Sequence, residues 1–187
     1  MTTLSAYPDR DGSQPKLTTT DLTRIQDILN AAKVEFERWS TDVEVFPCDP
    51  PERILAAYEH WLADLKRRGG YTAADVIALT PDHPNRLALR QKFLEEHTHA
   101  EDEVRFFVAG SGAFYLHVDD RVLAVTCERG DLIRVPANTR HWFDAGPAPN
   151  LVAIRVFTNP DGWVAEYTGD RISQRFPRLE PGGLPLG

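Results

Sequence analysis

The sequence predicts a single α+β domain, mainly β, in which helices flank a β-sandwich or barrel. The main observation is that residues 103–159 divide into short β-rich runs, each bounded by turn residues. Before them, residues 20–95 carry most of the helical periodicity. The chain of 187 residues, with 42% hydrophobic and 26% charged residues, is long enough for one well-filled core.

The first helix and strand follow each other closely. The polar run Thr18–Asp21 supplies N-cap residues for a helix over 22–32, whose apolar residues keep helical spacing. Residues 34–40 (VEFERWS) alternate apolar and charged side chains, which is typical of a half-buried strand.

A proline-rich break at 47–51 precedes the strongest helical pattern of the chain. Residues 52–70 place Ile54, Leu55, Tyr58, Trp61, Leu62 and Leu65 on one stripe. Basic residues and Gly69-Gly70 are suited to its C-terminus, so we expect one continuous helix. A short strand over 75–80 and a short helix over 85–94 follow.

From Glu103 onward the runs are EVRFFVA, AFYLHVD, RVLAVTC, DLIRVP, TRHWFDA and LVAIRVFTN, with turns expected between them, including one at 110–112. The tail over 169–187 is rich in Pro and Gly, and we expect it to be irregular. The whole of 1–187 is therefore one domain: 20–95 form a helical flank with outer strands, 96–168 a β-barrel core, and 169–187 the tail.

Charge and composition exclude several classes of protein. The net charge of −7 argues against nucleic acid or an anionic membrane as partner. The apolar runs are too short to span a bilayer. Cys48 and Cys127 have no paired spacing and the first residues carry no secretory signal, so we expect a cytoplasmic protein.

Three metal donors lie close together in EHTHAEDE. His97 and His99 share a strand face, and Glu103 keeps the same parity, as do Arg105 and Phe107. His141 is a fourth candidate donor. Such a concentration of donors would be costly to bury without a metal ion. Glu95, Glu96 and Glu101 are competing carboxylates, of which Glu101 is expected to be solvated.

The other histidines are expected to be structural or exposed. His60 lies on the amphipathic helix, His83 in a proline-rich turn, and His117 in mid-strand without a partner at ligand spacing.

Imidazole and carboxylate donors without a thiolate disfavour structural zinc. Four protein ligands at an octahedral ion such as Fe(II) or Ni(II) would leave two open positions, and catalytic zinc stays an alternative.

The same residues fit both halves of the cupin signature. The first half is His97-x-His99-x3-Glu103-x6-Gly110, and the second is Gly130-x5-Pro136-x-Asn138-x2-His141. Asn138 replaces the usual glycine, and asparagine tolerates a positive φ. Ala145 stands where the family often has asparagine.

Within the cupins the sequence resembles the acireductone dioxygenase family of methionine salvage. The resemblance covers about 25–169 and is densest in KFLEEHTHAEDEVRFFVAGSGAFYLH and CERGDLIRVPANTRHWFDAGPAPN. It implies a cupin-type double-stranded β-helix, or jelly-roll barrel. It also implies one Fe2+ or Ni2+ ion per chain, held by His97, His99, Glu103 and His141.

The resemblance further implies a small-molecule substrate, the acireductone 1,2-dihydroxy-3-keto-5-methylthiopentene, and O2. The iron form of such enzymes gives formate and 4-methylthio-2-oxobutanoate, and the nickel form gives 3-methylthiopropanoate, formate and carbon monoxide. Charge balance around a dianionic substrate assigns Arg105 as the catalytic cation. Candidate pocket residues are Phe93, Phe107, Phe143, Arg155 and Trp163.

Two other functions stay open: a metal cupin acting on a different enediol or phenol, and a non-catalytic ligand-binding cupin. We expect a monomer, because the N-terminal helices could cover the exposed sheet.

Overall fold

The computed structural model describes residues 1–159 and 163–180, and in this part of the chain it is mostly β with four α-helices. The strands are β1 (Thr3–Pro8), β2 (Leu17–Thr19), β3 (Glu35–Arg38), β4 (Ala73–Leu79), β5 (His97–Thr98), β6 (Glu103–Val118), β7 (Arg121–Glu128), β8 (Asp131–Val135), β9 (Arg140–Asp144), β10 (Leu151–Phe157) and β11 (Glu166–Tyr167). The helices are α1 (Leu22–Ala31), α2 (Pro51–Ala57), α3 (Glu59–Gly69) and α4 (Arg86–Phe93), and one 3-10 turn covers Ile172–Arg175.

Two antiparallel sheets share the long strand β6. The first has the order β11-β5-β9-β6-β7-β1-β2, and the second has the order β4-β10-β6-β8-β3. The N-terminal half of β6 pairs with β8 and β10, and its C-terminal half pairs with β7 and β9. This arrangement is the predicted cupin fold. The interior between the sheets is filled by apolar side chains of both, with α1 packed on one side.

The predicted turn at 110–112 was wrong, because β6 runs through it without a break. Gly110 has φ +67, and a Cβ there would lie 1.7 Å from the backbone oxygen of Asn150. A register shift at Val152 marks a bulge just before this point. The strand therefore bends from one sheet into the other instead of reversing. Glycines that usually signal a turn here permit a bend and a close backbone approach.

The predicted helix over 52–70 is two helices, α2 and α3, separated at Tyr58. Tyr58 has φ −116 and ψ 15, its ring packs against Phe106 and its phenol donates to the oxygen of Val43 at 2.8 Å. No glycine or proline marks the break, and the apolar stripe continues across it, so periodicity alone could not show it. The predicted ends hold: Pro51 begins α2, and Gly70 follows α3 with φ +69.

The outer faces of both sheets are buried by other parts of the chain. Helices α2 and α3 cover the outward residues of β6, among them Val104 and Phe106, which are both fully buried. The C-terminal segment covers the other sheet with Ile172, Phe176 and Leu179. The tail is irregular as predicted except for the 3-10 turn, but Ile172, Ser173, Phe176 and Leu179 within it are buried. Residues 181–187 of the predicted tail lie outside the described part.

Three local predictions are confirmed and one region was missed. The carboxylate of Asp21 caps α1 by accepting from the amides of Thr23 and Arg24. Asn138 has φ +63, as its place in the cupin motif required. Strands β3 and β4 and helix α4 lie within a few residues of their predicted positions. Strands β1 and β2 had no recognised pattern. Among the described residues, no helix is both long and apolar enough to cross a membrane.

Candidate metal centre

Four buried donors meet at one end of the interior between the sheets. His97 lies on β5 and pairs in register with His141 on β9, which places the two imidazoles side by side. His99 follows β5, and Glu103 begins β6 on the opposite sheet. One ligand atom of each residue lies within 4.8 Å of those of the other three. The sequence motif and the antiparallel pairing thus bring all four predicted donors together.

Backbone carbonyls fix the orientation of the three imidazoles. The Nδ1 atoms of His97, His99 and His141 lie 2.7, 2.8 and 2.8 Å from the carbonyl oxygens of Glu95, Val164 and Thr139. A carbonyl oxygen only accepts, so each Nδ1 must carry the proton. In the neutral ring Nε2 is then an unprotonated donor atom available to a metal ion.

The donors are arranged as a metal ion would require. Oε2 of Glu103 lies 3.0 Å from Nε2 of His141 and 3.2 Å from Nε2 of His99. With both Nδ1 atoms protonated, these contacts bring a carboxylate oxygen against two lone pairs. A positive species must stabilise this arrangement. Three imidazoles, one carboxylate and no thiolate are a suitable set for a divalent transition-metal ion.

The electrostatics favour the metal-binding protonation states of His97 and Glu103, but they favour an added proton on His99. Burial and the neighbouring His141 lower the pKa of His97 to about 4. Burial would raise the pKa of Glu103, but the Arg105 guanidinium and hydrogen bonds from His141 and His99 hold it well below its usual range. Burial also opposes the charged form of His99, yet the hydrogen bond to Glu103 raises its pKa. Without an ion, a proton at His99 would partly balance the carboxylate.

Arg105 is a buried cation beside the donors. It is 5% exposed, and its Nη2 donates to Oε1 of Glu103 at 2.7 Å. Its guanidinium carbon lies 4.3 Å from the ring centre of Phe143 and 5.1 Å from that of Phe114, within cation–π range. Its Nε has no hydrogen-bond partner within the described ranges. A buried guanidinium with an unused donor is suited to bind a further anionic group.

A cavity of about 140 Å3 opens onto three of the donors, His97, His99 and Glu103. It is lined by four of the five predicted pocket residues, Phe93, Phe143, Arg155 and Trp163, and by Arg105, the predicted catalytic cation. The cavity is also lined by Ile77, Lys92, Ala165 and Tyr167. Its wall therefore combines aromatic and apolar side chains with cationic ones, and Arg105 packs directly on the ring of Phe143.

Phe107 does not line this cavity. It is fully buried in the interior, with its ring centre 6.4 Å from that of Phe143 and 6.5 Å from that of Phe114. Its parity with Arg105 led to the expectation of a pocket residue. Because Phe143 lies beside it and lines the cavity instead, Phe107 is a core residue.

Arg155 and Trp163 are held in place by polar contacts. Arg155 donates through Nε and Nη2 to the two carboxylate oxygens of Asp75 at 2.8 and 2.5 Å. The indole of Trp163 donates to the carbonyl oxygen of Asp102 at 3.0 Å and lies 6.0 Å from the ring of His99. Arg155 is thus paired with the carboxylate of Asp75, a partner that sequence reasoning did not identify.

Sequence reasoning missed four residues of the cavity wall, Ile77, Lys92, Ala165 and Tyr167. Ile77 lies on β4, and Lys92 lies in the last turn of α4, next to the predicted Phe93. Tyr167 lies on β11, where it pairs in register with His97. A strand of two residues has no sequence signature, because only its pairing partner defines it. The position of Lys92 beside Phe93, just ahead of the histidine motif, was the one available signal.

The remaining histidines lie outside the donor cluster found among the described residues. His60 is exposed on α3 and His83 is partly buried near α4. His117 is buried, and its Nδ1 lies 2.6 Å from Oε1 of Glu96. Glu101 accepts hydrogen bonds from the hydroxyl of Thr158 and from the amide of Asn159.

The fold and this donor set define a single-domain cupin with a metal-binding site. The family model described as the ARD/ARD' family matches residues 4–165, and the chain belongs to this family. The match begins well before residue 25, where the resemblance was predicted to start, since it includes β1 and β2.

Curated relatives and a solved structure agree with this membership. A protein of Citrobacter koseri named acireductone dioxygenase is 52% identical over 179 residues, which cover 96% of this chain and 99% of the relative. A protein of Hahella chejuensis with the same name is 52% identical over 180 residues, covering 96% and 97%. The structure of acireductone dioxygenase from Bacillus anthracis with a cadmium ion in its active centre superposes with a TM-score of 0.80 at 32% identity. This superposition covers 89% of this chain and 98% of that one.

Proposed function

We propose that the chain is an acireductone dioxygenase, which cleaves 1,2-dihydroxy-3-keto-5-methylthiopentene with O2 in methionine salvage. The observation that carries the proposal is the buried cluster of three histidines and one glutamate at the cavity, beside the buried cation Arg105. Family membership and the names of the curated relatives support the same reaction.

His97, His99, Glu103 and His141 would hold one divalent ion, Fe2+ or Ni2+. A bound ion of this kind supplies Lewis acidity and an electron-transfer partner for the reaction with O2. The protein contributes imidazoles that present Nε2, because carbonyl oxygens accept a hydrogen bond from every Nδ1–H, and a carboxylate whose lowered pKa keeps it ionised at neutral pH. The proposal includes the product rule of the family, in which the metal decides between the ketoacid and carbon monoxide.

Arg105 would bind and polarise the anionic substrate. The enediolate would bring negative charge next to a buried guanidinium, which interacts more strongly there than it would in solvent. The bond to Glu103 and the nearby rings of Phe143 and Phe114 hold Arg105 in place, so little reorganisation is needed. Its Nε–H, which has no partner among the residues that the structure describes, leaves hydrogen-bonding capacity for the substrate.

The apolar residues of the cavity wall would hold the methylthio tail. These residues are Phe93, Phe143, Trp163 and Ile77. Burying this tail orients the enediol toward the donors and keeps bulk water from the reacting carbons. The substrate is itself an electron-rich reductant, so this arrangement requires no separate cosubstrate.

Oxygen uptake by metal-free protein reloaded separately with Fe(II) and Ni(II) tests the proposal. With acireductone as substrate we expect uptake with both metals, and carbon monoxide in the headspace only with nickel. Uptake no faster than the spontaneous rate, in protein shown to hold metal, would instead indicate a cupin acting on another substrate or a non-catalytic one. The monomeric state and cytoplasmic location stay predictions.

A further inference from the structure

A hydrogen-bonded group of two buried residues and one exposed threonine lies next to the donor cluster but outside its cavity. Glu96 is 1% exposed and His117 is 7% exposed. Oε1 of Glu96 lies 2.6 Å from Nδ1 of His117, and Oε2 accepts from the hydroxyl of Thr168 at 2.7 Å. None of these three residues lines the metal-donor cavity. The substrate-binding roles proposed above therefore leave the group unexplained.

The group joins two parts of the chain that are distant in sequence. Glu96 immediately precedes His97, the first residue of the short strand β5. Thr168 binds Glu96 twice, through its hydroxyl and through its amide, which donates to the Glu96 carbonyl at 3.1 Å. His117 connects the same carboxylate to β6.

The segment 163–168 that Thr168 ends is in contact with two of the donors. The carbonyl oxygen of Val164 accepts from Nδ1 of His99 at 2.8 Å and thereby fixes that ring. Tyr167 pairs in register with His97, and the two rings are 5.9 Å apart. Both residues of β11 are exposed, and β11 pairs with the two-residue β5. Such short pairing provides few bonds, so the segment needs a further anchor to stay in place.

We propose that Glu96, His117 and Thr168 form a positioning clamp that fixes segment 163–168 and thereby the orientation of His97 and His99. The carboxylate is the centre of the clamp: it ties the segment to the start of β5 and ties both to β6. Outer partners of this kind commonly change metal affinity 10- to 100-fold, because a ligand that can rotate loses its preorganised geometry. The clamp rests on one part of the proposed function, namely that His97 and His99 bind the metal ion.

Thr168→Val is the most selective test, because it removes the hydroxyl at nearly constant volume and leaves the amide contact with Glu96. We would load wild type and variant with Ni(II) and follow release of nickel to an excess of chelator. The expected result is release about 10-fold faster in the variant, with a changed visible spectrum after loading with Co(II). Thr168→Ser should restore the wild-type rate, because it returns the hydroxyl.

Thr3→Val is the matched control. It removes a threonine hydroxyl on β1, away from the donors, that donates to the backbone oxygen of Met1. Its nickel release should equal that of wild type. Glu96→Leu is the second variant if Thr168→Val does not fold: it removes both acceptor oxygens of the clamp at similar volume, so release should again be faster. Nickel release within twofold of wild type in the folded variants would overturn the clamp, even if the melting temperature falls.

The two proposals fail in different ways. Wild-type protein that holds nickel but does not consume O2 with acireductone would contradict the proposed function. The nickel-release comparison would still decide the role of the clamp.

Discussion

At the scale of single residues, backbone carbonyls determine which ring nitrogen of each histidine at the site can bind a metal ion. A histidine with two free ring nitrogens can bind a metal through either, in either tautomer. Carbonyl acceptors at Nδ1 of His97, His99 and His141 leave only Nε2 for an ion. The carbonyls of Glu95 and Thr139 lie two residues before their histidines, so two of the three contacts are local. The third, from Val164, depends on tertiary structure.

His99→Ala should abolish both metal binding and turnover, because it removes a donor and leaves Glu103 short of a partner. Metal content after dialysis and O2 uptake are the measurements. His60→Ala is the control, since this exposed residue of α3 should change neither. Full metal occupancy and activity in His99→Ala would exclude His99 as a ligand.

Arg105→Met should keep the metal and lower kcat/KM by about 100-fold, because the buried guanidinium is proposed to act on the substrate and not on the ion. Methionine retains part of the packing against Phe143. Steady-state kinetics and metal analysis on the same sample separate the two effects. Arg121→Met, at an exposed position of β7, is the control. Unchanged kcat/KM in the Arg105 variant would make that residue purely structural.

At the scale of elements, β6 determines the geometry of the site. Its first half presents Glu103 and Arg105 to the interior from one sheet. Its second half belongs to the other sheet, where Leu116 pairs with the ligand candidate His141. The inward residues have odd numbers before the bend and even numbers after it, as Phe114 and Leu116 show. The bulge and Gly110 accommodate this change of parity.

Gly110→Ala should destabilise the fold by about 3 kcal/mol or more, because it adds a backbone overlap to the cost of a positive φ. Gly70→Ala is a matched control: φ is +69 there against +67 at Gly110, but nothing lies within 4 Å of the new Cβ. It should cost only about 1 to 2 kcal/mol. Urea unfolding monitored by tryptophan fluorescence measures both. Equal losses in the two variants would show that the close approach at Gly110 has no separate cost.

At the scale of the whole molecule, three apolar cores share two sheets. One lies between the sheets, one lies under α2 and α3, and one lies under the C-terminal segment. Strands β6 to β10 are therefore buried on both faces over much of their length, which explains why most residues of β6, β7 and β10 are apolar.

Stability should fall as the pH rises above about 9. Burial raises the pKa of the Cys127 thiol well above its usual value, and burial also raises the pKa of Tyr7, Tyr58, Tyr71 and Tyr115. The folded protein keeps these protons at a pH at which the unfolded chain has released them. The stability linked to each group is thus fully present below the unfolded pKa and is lost above it, at about 1.4 kcal/mol per pH unit for each proton.

Cys127→Ala should flatten this alkaline dependence by about one proton, whatever its effect on absolute stability. The measurement is the free energy of unfolding in urea from pH 8 to 11. Cys48→Ala is the control, because Cys48 is exposed in the folded state and its removal should leave the slope unchanged. A slope in Cys127→Ala equal to that of wild type would contradict the prediction.

The sequence by itself determined the fold class and the donor set of the candidate site. The donors lie in two short motifs with fixed spacing, and local physical chemistry acts over such distances: alternation on a strand, capping by Asp21, and the positive φ of Asn138. That the four donors bind the metal stays a prediction until it is measured.

Only the tertiary structure decided what depends on contacts between distant segments. Three such features are the bend at Gly110, the break at Tyr58 and the burial of the C-terminal segment. Each depends on contacts with another part of the chain. So do the contributions of Ile77, Lys92 and Tyr167 to the cavity wall, the exclusion of Phe107 from it, and the clamp at Glu96. No local pattern encodes these features, because the free energy that favours each of them comes from packing and hydrogen bonds that exist only after the chain has folded.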